Sequence, residues 1–286
     1  MENAPVDITP PLALLSISGL SSTGLSGTEG DLKTFAALGT FGVSAVTAIV
    51  TQTAAGEAQC EPVTPGAVTA QIQAAMDNVA ISAVKVGMLP SMDSVYAAAE
   101  ALRAAPPPPD HTAQGKTLPY IVADPMVGTT AGFGPLGAKA VEALKQTIFP
   151  MASLLTPNAT EAALLSGREV DTPEHIESAA KALFDSLGVP VLVTGGRFSD
   201  SDEATDVLWD GRELEFFNTP YLRGVNTKGS GCTLSSAAAV YMARGFGPGD
   251  AVAQAKDYLQ QSLAAALPLG RRVILNHAHA PKPMRG

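Results

Sequence analysis

The strongest constraint on the fold is a repeated alternation of short apolar runs with helical patterns. The apolar runs occupy residues 12–19, 44–52, 83–88, 120–125, 153–158 and 189–196. Near-continuous apolar runs that end in polar residues or glycine are typical of strands buried on both faces of a parallel sheet. The sequence therefore predicts an α/β fold with a mostly parallel central sheet and helices on both faces.

The sequence between these apolar runs contains recognisable signals for helix starts and helix ends. Thr64-Pro65 and Thr172-Pro173 each open a helix with a capping hydroxyl and a first-turn proline, and Gly188 closes the second. Asp210-Gly211 lies between two β-type runs within 204–222, which predicts an antiparallel hairpin.

Three segments are predicted to lie outside the core. Residues 105–117 are rich in proline and polar side chains, which indicates an exposed surface loop rather than a domain linker. The N-terminus is interpreted as flexible. The polar tail 271–286, with its "HAHAPKP" motif, is interpreted as frayed; two histidines at that spacing could bind a metal, but chain ends are more often disordered.

Charge and cysteine content narrow the function. A net charge of −9 and an isoelectric point near 4.9 argue against a nucleic-acid partner, which requires clustered lysine and arginine, and favour a small-molecule substrate. The N-terminus lacks the basic and apolar parts of a signal peptide, and no apolar run reaches membrane-spanning length. Two distant cysteines do not suggest a disulfide framework. We expect a cytoplasmic protein with free thiols and no membrane partner.

The sequence "GSGC", Gly229 to Cys232, precedes an alanine-rich helical segment. Two closely spaced glycines before a helix aim backbone N–H groups and the positive helix end at one point, as a phosphate or a developing anion requires. Cys232 would lie in the first turn, where the helix field lowers a thiol pKa, and could act as a base or nucleophile. The alternative is a small buried residue that packs the helix start.

Other polar residues follow predicted strands. The glycine-rich loop after the first strand leads to Asp31, which could meet a ligand or simply complement a helix start. Asp124 and Glu161 follow later strands and are natural holders of hydrated Mg²⁺, although either alone could be a capping residue. The amide of Gln52 could read the edge of a heterocycle, or it could face solvent.

Together the motifs resemble a known family. The chain from Leu14 to Leu267 is similar to the hydroxymethylpyrimidine (phosphate) kinases of thiamine biosynthesis, within the ribokinase-like superfamily. The similarity rests on five motifs in the same order: "DLKTFAALGTFGVSAVTAIVTQ", "AVKVGML", "VADPM", "LLTPNATEAALLSG" and "GSGCTLSSA". The resemblance implies a single three-layer α/β/α domain over 1–286 with its core at about 12–268, ATP and Mg²⁺ as co-substrates, phosphoryl transfer to a primary alcohol, and a homodimer.

The resemblance also implies roles for individual residues. Gly229, Ser230 and Gly231 would form the anion hole, and Cys232 would accept the proton of the substrate hydroxymethyl group. The positions implied for the pyrimidine pocket are Gly19, Asp31, Gln52 and Met88, with Asp31 and Gln52 hydrogen-bonding the ring. The positions implied near the nucleotide are Asp124, Asn158, Glu161, Thr194, Gly196 and Lys228, and Asp124 and Glu161 would hold the metal through water.

The chain departs from the family in two loops. "GLSSTGLSG" after the first strand has Ser21 in place of an acid and Leu25 in place of a glycine. "TGGR" has Thr194 in place of a lysine and Arg197 in place of a histidine, while Lys228 could restore a cation. These changes leave open two alternatives: a pyridoxal kinase, and a heterocycle-binding protein without catalysis.

Overall fold

The computed structural model describes residues 10–53, 58–105, 118–128, 136–198, 201–270 and 272–284. The predicted flexible N-terminus, residues 1–9, and the proline-rich segment 106–117 lie outside the described residues.

The described strands form one large sheet in the order β3-β2-β1-β4-β5-β6-β7-β8-β9. Its strands are β1 (Ala13–Ser21), β2 (Phe41–Gln52), β3 (Ala58–Pro62), β4 (Ile81–Val86), β5 (Tyr120–Ala123), β6 (Leu154–Leu155), β7 (Val191–Arg197), β8 (Glu203–Trp209) and β9 (Leu214–Pro220). The six strands from β2 to β7 in that order run parallel, as predicted, and antiparallel strands complete both edges. The carboxyl ends of six strands therefore meet along one edge of the sheet.

Helices cover both faces of this sheet. They are α1 (Gly27–Ala37), α2 (Pro65–Asn78), α3 (Met92–Ala104), α4 (Ala138–Gln146), α5 (Ala159–Ser166), α6 (Pro173–Leu187), α7 (Ser230–Ala243) and α8 (Pro248–Ala264), with a 3-10 turn at Phe149–Met151. One apolar core joins the sheet to α2–α6 and a second joins it to α1, α7 and α8. Leu14 faces the second core and Leu15 the first, which is why the strands are apolar at successive positions. The predicted α/β class with helices on both faces is confirmed.

The predicted helix starts at Pro65 and Pro173 and the predicted hairpin are confirmed, although the Thr64 hydroxyl makes no capping hydrogen bond. The Thr172 hydroxyl accepts the His175 N–H at 3.2 Å, and Gly188 ends α6 in the left-handed region at φ 71°. Strands β8 and β9 form the predicted antiparallel hairpin, whose turn Asp210 stabilises by accepting the N–H groups of Arg212 and Glu213, each at 2.7 Å. The polar edge strand β3 was not predicted, because "AQCEP" has no apolar alternation.

The prediction of a frayed tail from Arg271 onward does not hold for the described residues 272–284. Strands β10 (Leu267–Leu269) and β11 (Arg272–Ile274) form a small antiparallel ribbon. Beyond it His277 is buried, and the Tyr258 hydroxyl donates to its carbonyl at 2.8 Å. The Lys282 N–H donates to the Ala37 carbonyl at 2.8 Å. The polar appearance of the tail was misleading because these contacts use backbone groups and a buried imidazole rather than an apolar stripe.

None of the helices in the described part of the chain is long and apolar enough to cross a membrane.

Candidate active site

A cleft of about 930 Å³ opens where the parallel strands end. It gathers most of the residues that the sequence singled out, although they come from distant parts of the chain. The predicted site residues that line it are Gln52, Asp124, Asn158, Glu161, Thr194, Gly196, Lys228, Gly229, Ser230, Gly231 and Cys232. The predicted pocket residues Gly19, Asp31 and Met88 are not among the described residues that line this cleft.

The glycine loop fixes the start of α7 by a close backbone approach. Gly229 has φ 91°, and a Cβ atom there would lie 1.8 Å from the Leu25 carbonyl oxygen, so only glycine fits. The Ser230 N–H donates to the Thr227 carbonyl at 3.0 Å. Within the described residues, no hydrogen bond occupies the N–H groups of Gly231 and Cys232. Gly231 and Cys232, the second and third residues of α7, therefore present N–H groups that are not used by the described residues.

Cys232 lies at the bottom of the cleft with 6 % of its surface exposed. Burial raises the pKa of its thiol to about 11, although the charge of Lys85 and a hydrogen bond from the Gly27 N–H both act to lower it. The helix-start argument predicted a lowered thiol pKa. Burial is the largest influence here and acts in the opposite direction, so Cys232 carries a thiol at neutral pH.

A buried charge cluster lies against the first turns of α7. Asp31 is fully buried and accepts hydrogen bonds from the hydroxyls of Ser16 at 2.6 Å and Ser236 at 2.8 Å. Its Oδ1 lies 3.2 Å from Nζ of Lys85, which is also fully buried. The carboxylate predicted to bind the substrate ring thus faces protein groups. The glycine-rich loop before it suggested a ligand contact and the family resemblance implied a bond to the ring, whereas in this structure the carboxylate pairs with Lys85.

Sequence reasoning missed Lys85. Its Nζ lies 4.0 Å from Oδ2 of Asp124, so one ammonium links two carboxylates. Burial by itself lowers the pKa of Lys85, but the charges of Asp31, Cys232 and Asp124 raise it above the ordinary value. Lys85 is therefore a permanent cation. The available signal was a lysine inside the otherwise apolar run "AVKVGM", since a buried strand does not carry a charge without a partner.

The strand-end acids Asp124 and Glu161 form a second polar centre. Glu161 and Asn158 make a reciprocal capping box at the start of α5, in which the Glu161 N–H bonds Asn158 at 3.0 Å. Burial, and then the charge of Asp124, raise the pKa of Glu161 to about 8, and burial also raises that of Asp124. Glu161 Oε1 is a buried atom with no hydrogen-bond partner among the described residues.

This centre fits a hydrated divalent cation. An unpartnered carboxylate oxygen beside a second carboxylate is a site that positive charge would stabilise, and Mg²⁺ typically takes one or two carboxylates together with waters and phosphate oxygens. The described residues contain no group of three or more acidic, histidine or cysteine ligands. The arrangement therefore suits a cation that arrives with phosphate, rather than one caged by protein alone.

The remaining predicted residues form two smaller groups. Gly19 lies against the Met88 side chain, since a Cβ at Gly19 would come within 3.2 Å of the Met88 sulfur. Gln52 and Lys228 meet at the cleft, where the lysine Nζ donates to Oε1 of the Gln52 side-chain amide. Lys228 therefore bridges the glycine loop and the end of β2.

Two further residues near Thr194 were not predicted. Asp206 on β8 accepts the Gly195 N–H at 3.1 Å and pairs with Lys256 of α8 at 2.7 Å. This pair is buried and lines the cleft. Asp206 thus holds the irregular end of β7, which carries Thr194 and Gly196, and Lys256 brings positive charge near it. The sequence signal was weak, because 50 residues separate the two partners.

Comparison with known proteins agrees with this geometry. The family model described as phosphomethylpyrimidine kinase matches residues 21–277. A hydroxymethylpyrimidine/phosphomethylpyrimidine kinase of Rhizobium meliloti is 37% identical over 269 residues, which cover 93% of this chain and 96% of that protein. The thiamine biosynthesis bifunctional protein ThiED of Geobacter sulfurreducens is 34% identical over 96% of this chain, which spans only 54% of that protein.

Among solved structures, the ADP complex of a Bacillus subtilis pyridoxal kinase superposes with a TM-score of 0.82 at 28% identity, covering 94% of this chain and 98% of that one. This similarity and the kinase relatives identify the chain as an ATP-dependent kinase with a ribokinase-like fold. The family match extends over most of the chain, from β1 to the buried His277. The chain belongs to the phosphomethylpyrimidine kinase family.

Proposed function

We propose that this kinase transfers the γ-phosphoryl group of ATP to the hydroxymethyl group of 4-amino-5-hydroxymethyl-2-methylpyrimidine, to its monophosphate, or to both. One observation carries the proposal. Cys232 and the open N–H groups of the first α7 turn share a single cleft with the strand-end acids Asp124 and Glu161. Phosphoryl transfer needs an anion hole, a metal centre and a proton acceptor in one place.

Asp124 and Glu161 are the residues that would hold Mg²⁺. When bound, the ion neutralises charge on the nucleotide phosphates. The N–H groups of Gly231 and Cys232 donate to the oxygens of the transferring phosphoryl group, where charge develops during transfer. Because these donors are fixed by the helix, they need no reorganisation when the reaction occurs.

Cys232 Sγ is the proposed acceptor of the hydroxymethyl proton. Its raised pKa means that this role requires positive charge close to the sulfur. Lys85 supplies such a charge from inside the protein, and its own raised pKa keeps it protonated. Lys85 is therefore the internal charge that favours the thiolate, whereas the charges of Asp124 and Asp31 raise the pKa of the thiol.

Gln52 is the proposed contact for the pyrimidine ring. Its backbone is fixed by a hydrogen bond to the Ser22 hydroxyl at 3.0 Å, and its side chain lies at the cleft wall beside Lys228. Gly19 and Met88 would form the adjoining wall, where the Met88 sulfur and the Val50 side chain pack on the Gly19 backbone. Asp31 would act on the substrate through Lys85 and Ser236 rather than by touching the ring.

The test is ADP release by the purified protein with Mg-ATP and one of three alcohols: hydroxymethylpyrimidine, its monophosphate or pyridoxal. We expect the highest kcat/KM with one or both pyrimidines. Absence of ADP above background with all three would contradict the proposal and favour a heterocycle-binding protein without catalysis. Thermal shifts with each alcohol would then show whether the pocket still binds one.

Pyridoxal kinase activity is the second candidate. It is favoured by the similarity to the Bacillus subtilis pyridoxal kinase structure and by the first loop, where Ser21 and Leu25 depart from the family pattern. A kcat/KM for pyridoxal above that for both pyrimidines would establish it in place of the first proposal.

We further propose that the enzyme is a homodimer. Leu20 and Ile49 are register partners on β1 and β2 and are 37% and 51% exposed, and Phe41 on β2 is 45% exposed. Exposed large apolar side chains on neighbouring strands are suited to contact with a second copy. Sedimentation analysis of the wild type and of an Ile49→Lys variant tests this, since the variant should become monomeric if this face is the interface.

A further inference from the structure

The tail that follows α8 reaches the anion hole through one hydrogen-bonded chain. His277 Nε2 lies 3.1 Å from the Thr233 hydroxyl, and that hydroxyl donates to the Gly229 carbonyl at 2.9 Å. The Thr233 N–H donates to the same carbonyl, also at 2.9 Å. Gly229 is the residue from which α7 begins, so these bonds close its first turn.

The proton positions in this chain follow from its geometry. A threonine hydroxyl has one hydrogen, and here that hydrogen points to the Gly229 carbonyl. With that arrangement, a neutral His277 ring completes the chain by donating from Nε2 to the Thr233 hydroxyl. Burial, with the charge of Lys33, lowers the pKa of His277 to about 4, which agrees with a neutral ring. The neutral ring is thus held in one tautomer by its partner.

The tail itself is anchored on both sides of His277. Before it, the Asn276 N–H donates to the Ser262 carbonyl at 3.1 Å. At His277, the Tyr258 hydroxyl donates to the backbone carbonyl at 2.8 Å. After it, the Lys282 N–H donates to the Ala37 carbonyl at the end of α1. The imidazole is therefore set between α1, α7 and α8 by backbone contacts that do not depend on its own ring.

We propose that His277 is a positioning residue for phosphoryl transfer: through Thr233 it fixes the first turn of α7, and so aims the N–H groups of Gly231 and Cys232 at the transferring phosphoryl group. Neither His277 nor Thr233 is among the described residues that line the cleft, so their action passes through the helix. The inference rests on the anion hole of the proposed function. It adds the C-terminal tail to the machinery of that site.

The experiment compares four single variants at His277 and Thr233, one double variant at the same two positions and one control variant at His279. His277→Leu and Thr233→Val each interrupt the series of hydrogen bonds from His277 to Gly229. His277→Gln keeps an N–H donor near the position of Nε2, and Thr233→Ser keeps the hydroxyl. We expect kcat to fall about 10- to 100-fold for the two breaking variants, the range for small misplacements of reacting groups. The KM for the alcohol should change little, and the two conservative variants should retain most of the wild-type kcat.

The double variant His277→Leu/Thr233→Val tests whether the two residues act through one series of hydrogen bonds or act separately. Residues in one hydrogen-bonded network act non-additively, so the double variant should lose no more kcat than the worse single variant. His279→Leu is the matched control: it changes the other tail histidine, which contacts Ser262 and Gln261 of α8, and should leave kcat unchanged. A purely structural role for His277 would lower the melting temperature without altering kcat of the folded protein.

A binding measurement separates failure of this inference from failure of the proposed function. ADP with aluminium fluoride mimics the planar phosphoryl group and needs no alcohol to be identified. We expect His277→Leu to weaken binding of this complex by about the same factor as kcat, because both depend on the anion hole, while the Kd for ADP alone stays unchanged. Wild-type kcat and wild-type affinity in both breaking variants would overturn the proposal. If His277→Leu does not fold, Thr233→Val tests the same link without altering the tail.

Discussion

The buried pair Lys85–Asp31 offers the sharpest test of the energetics beneath the site. Both side chains are fully buried with Nζ and Oδ1 3.2 Å apart. At an effective dielectric constant of about 20, Coulomb's law gives about 5 kcal/mol of attraction at that distance. Removing one partner of such a pair typically costs about 3–5 kcal/mol, because the remaining charge stays buried without compensation.

The single variants should not be equivalent. Lys85→Met leaves two carboxylates, Asp31 and Asp124, without their shared cation, whereas Asp31→Asn leaves Lys85 with Asp124 at 4.0 Å. We therefore expect Lys85→Met to lower the free energy of unfolding more than Asp31→Asn does. The double variant removes both charges, and its loss should be smaller than the sum of the single losses by about 3–5 kcal/mol.

Urea unfolding followed by tryptophan fluorescence measures these values. Trp209 is the single tryptophan, and it packs on Phe184 far from the substituted residues in sequence. The surface pair Arg223–Asp202, at 2.9 Å but largely exposed, is the control, and its double-variant cycle should show no coupling beyond error. A coupling energy for Lys85 and Asp31 below about 1 kcal/mol, the range of exposed pairs, would refute the reasoning.

Three further predictions concern the cleft. Cys232→Ala should lower kcat by about 10²- to 10⁴-fold, the usual contribution of a general base, and full turnover would exclude the assigned role. Folding raises the pKa of Glu161 from 4.5 to about 8, so between these pH values the native state holds a proton that the unfolded state has lost. In EDTA the melting temperature should therefore fall as the pH rises from 4.5 to about 8. Glu161→Gln should flatten that pH dependence. Gly229→Ala should lower the urea midpoint more than Gly245→Ala does. Both glycines have φ near 90°, but a Cβ at Gly229 would meet the backbone of Leu25, whereas nothing lies within 4 Å of a Cβ at Gly245. Equal losses in the two variants would show that the close backbone approach at Gly229 is unimportant.

The layout of the site could be predicted from the sequence because it depends on strand ends. Parallel strands bring their carboxyl ends to one edge whatever the details of packing, so residues such as Asp124 and Glu161 were placed together by pattern alone. Two glycines before a helix suggested an anion site, but the assignment depended on the five ordered motifs of the family resemblance.

Long-range polar pairing could not be predicted in the same way. Nothing in the local sequence connects Lys85 with Asp31, or the Thr233 hydroxyl with His277 of the tail. The thiol of Cys232 shows the same limit for energetics, since its place at a helix start predicted a lowered pKa whereas burial raises it. Only the structure shows that burial is the larger effect.

The contact between Gly229 and the Leu25 carbonyl bears on how such enzymes diverge. Because the contact uses only the backbone carbonyl of residue 25, substitution of the side chain there leaves the contact in place. Leu25, where the family pattern has a glycine, is one such substitution. Position 229 has no such freedom, since any side chain would push the first loop away. Variation in substrate preference is therefore expected to accumulate in the first loop, while the facing glycine remains invariant in every active descendant.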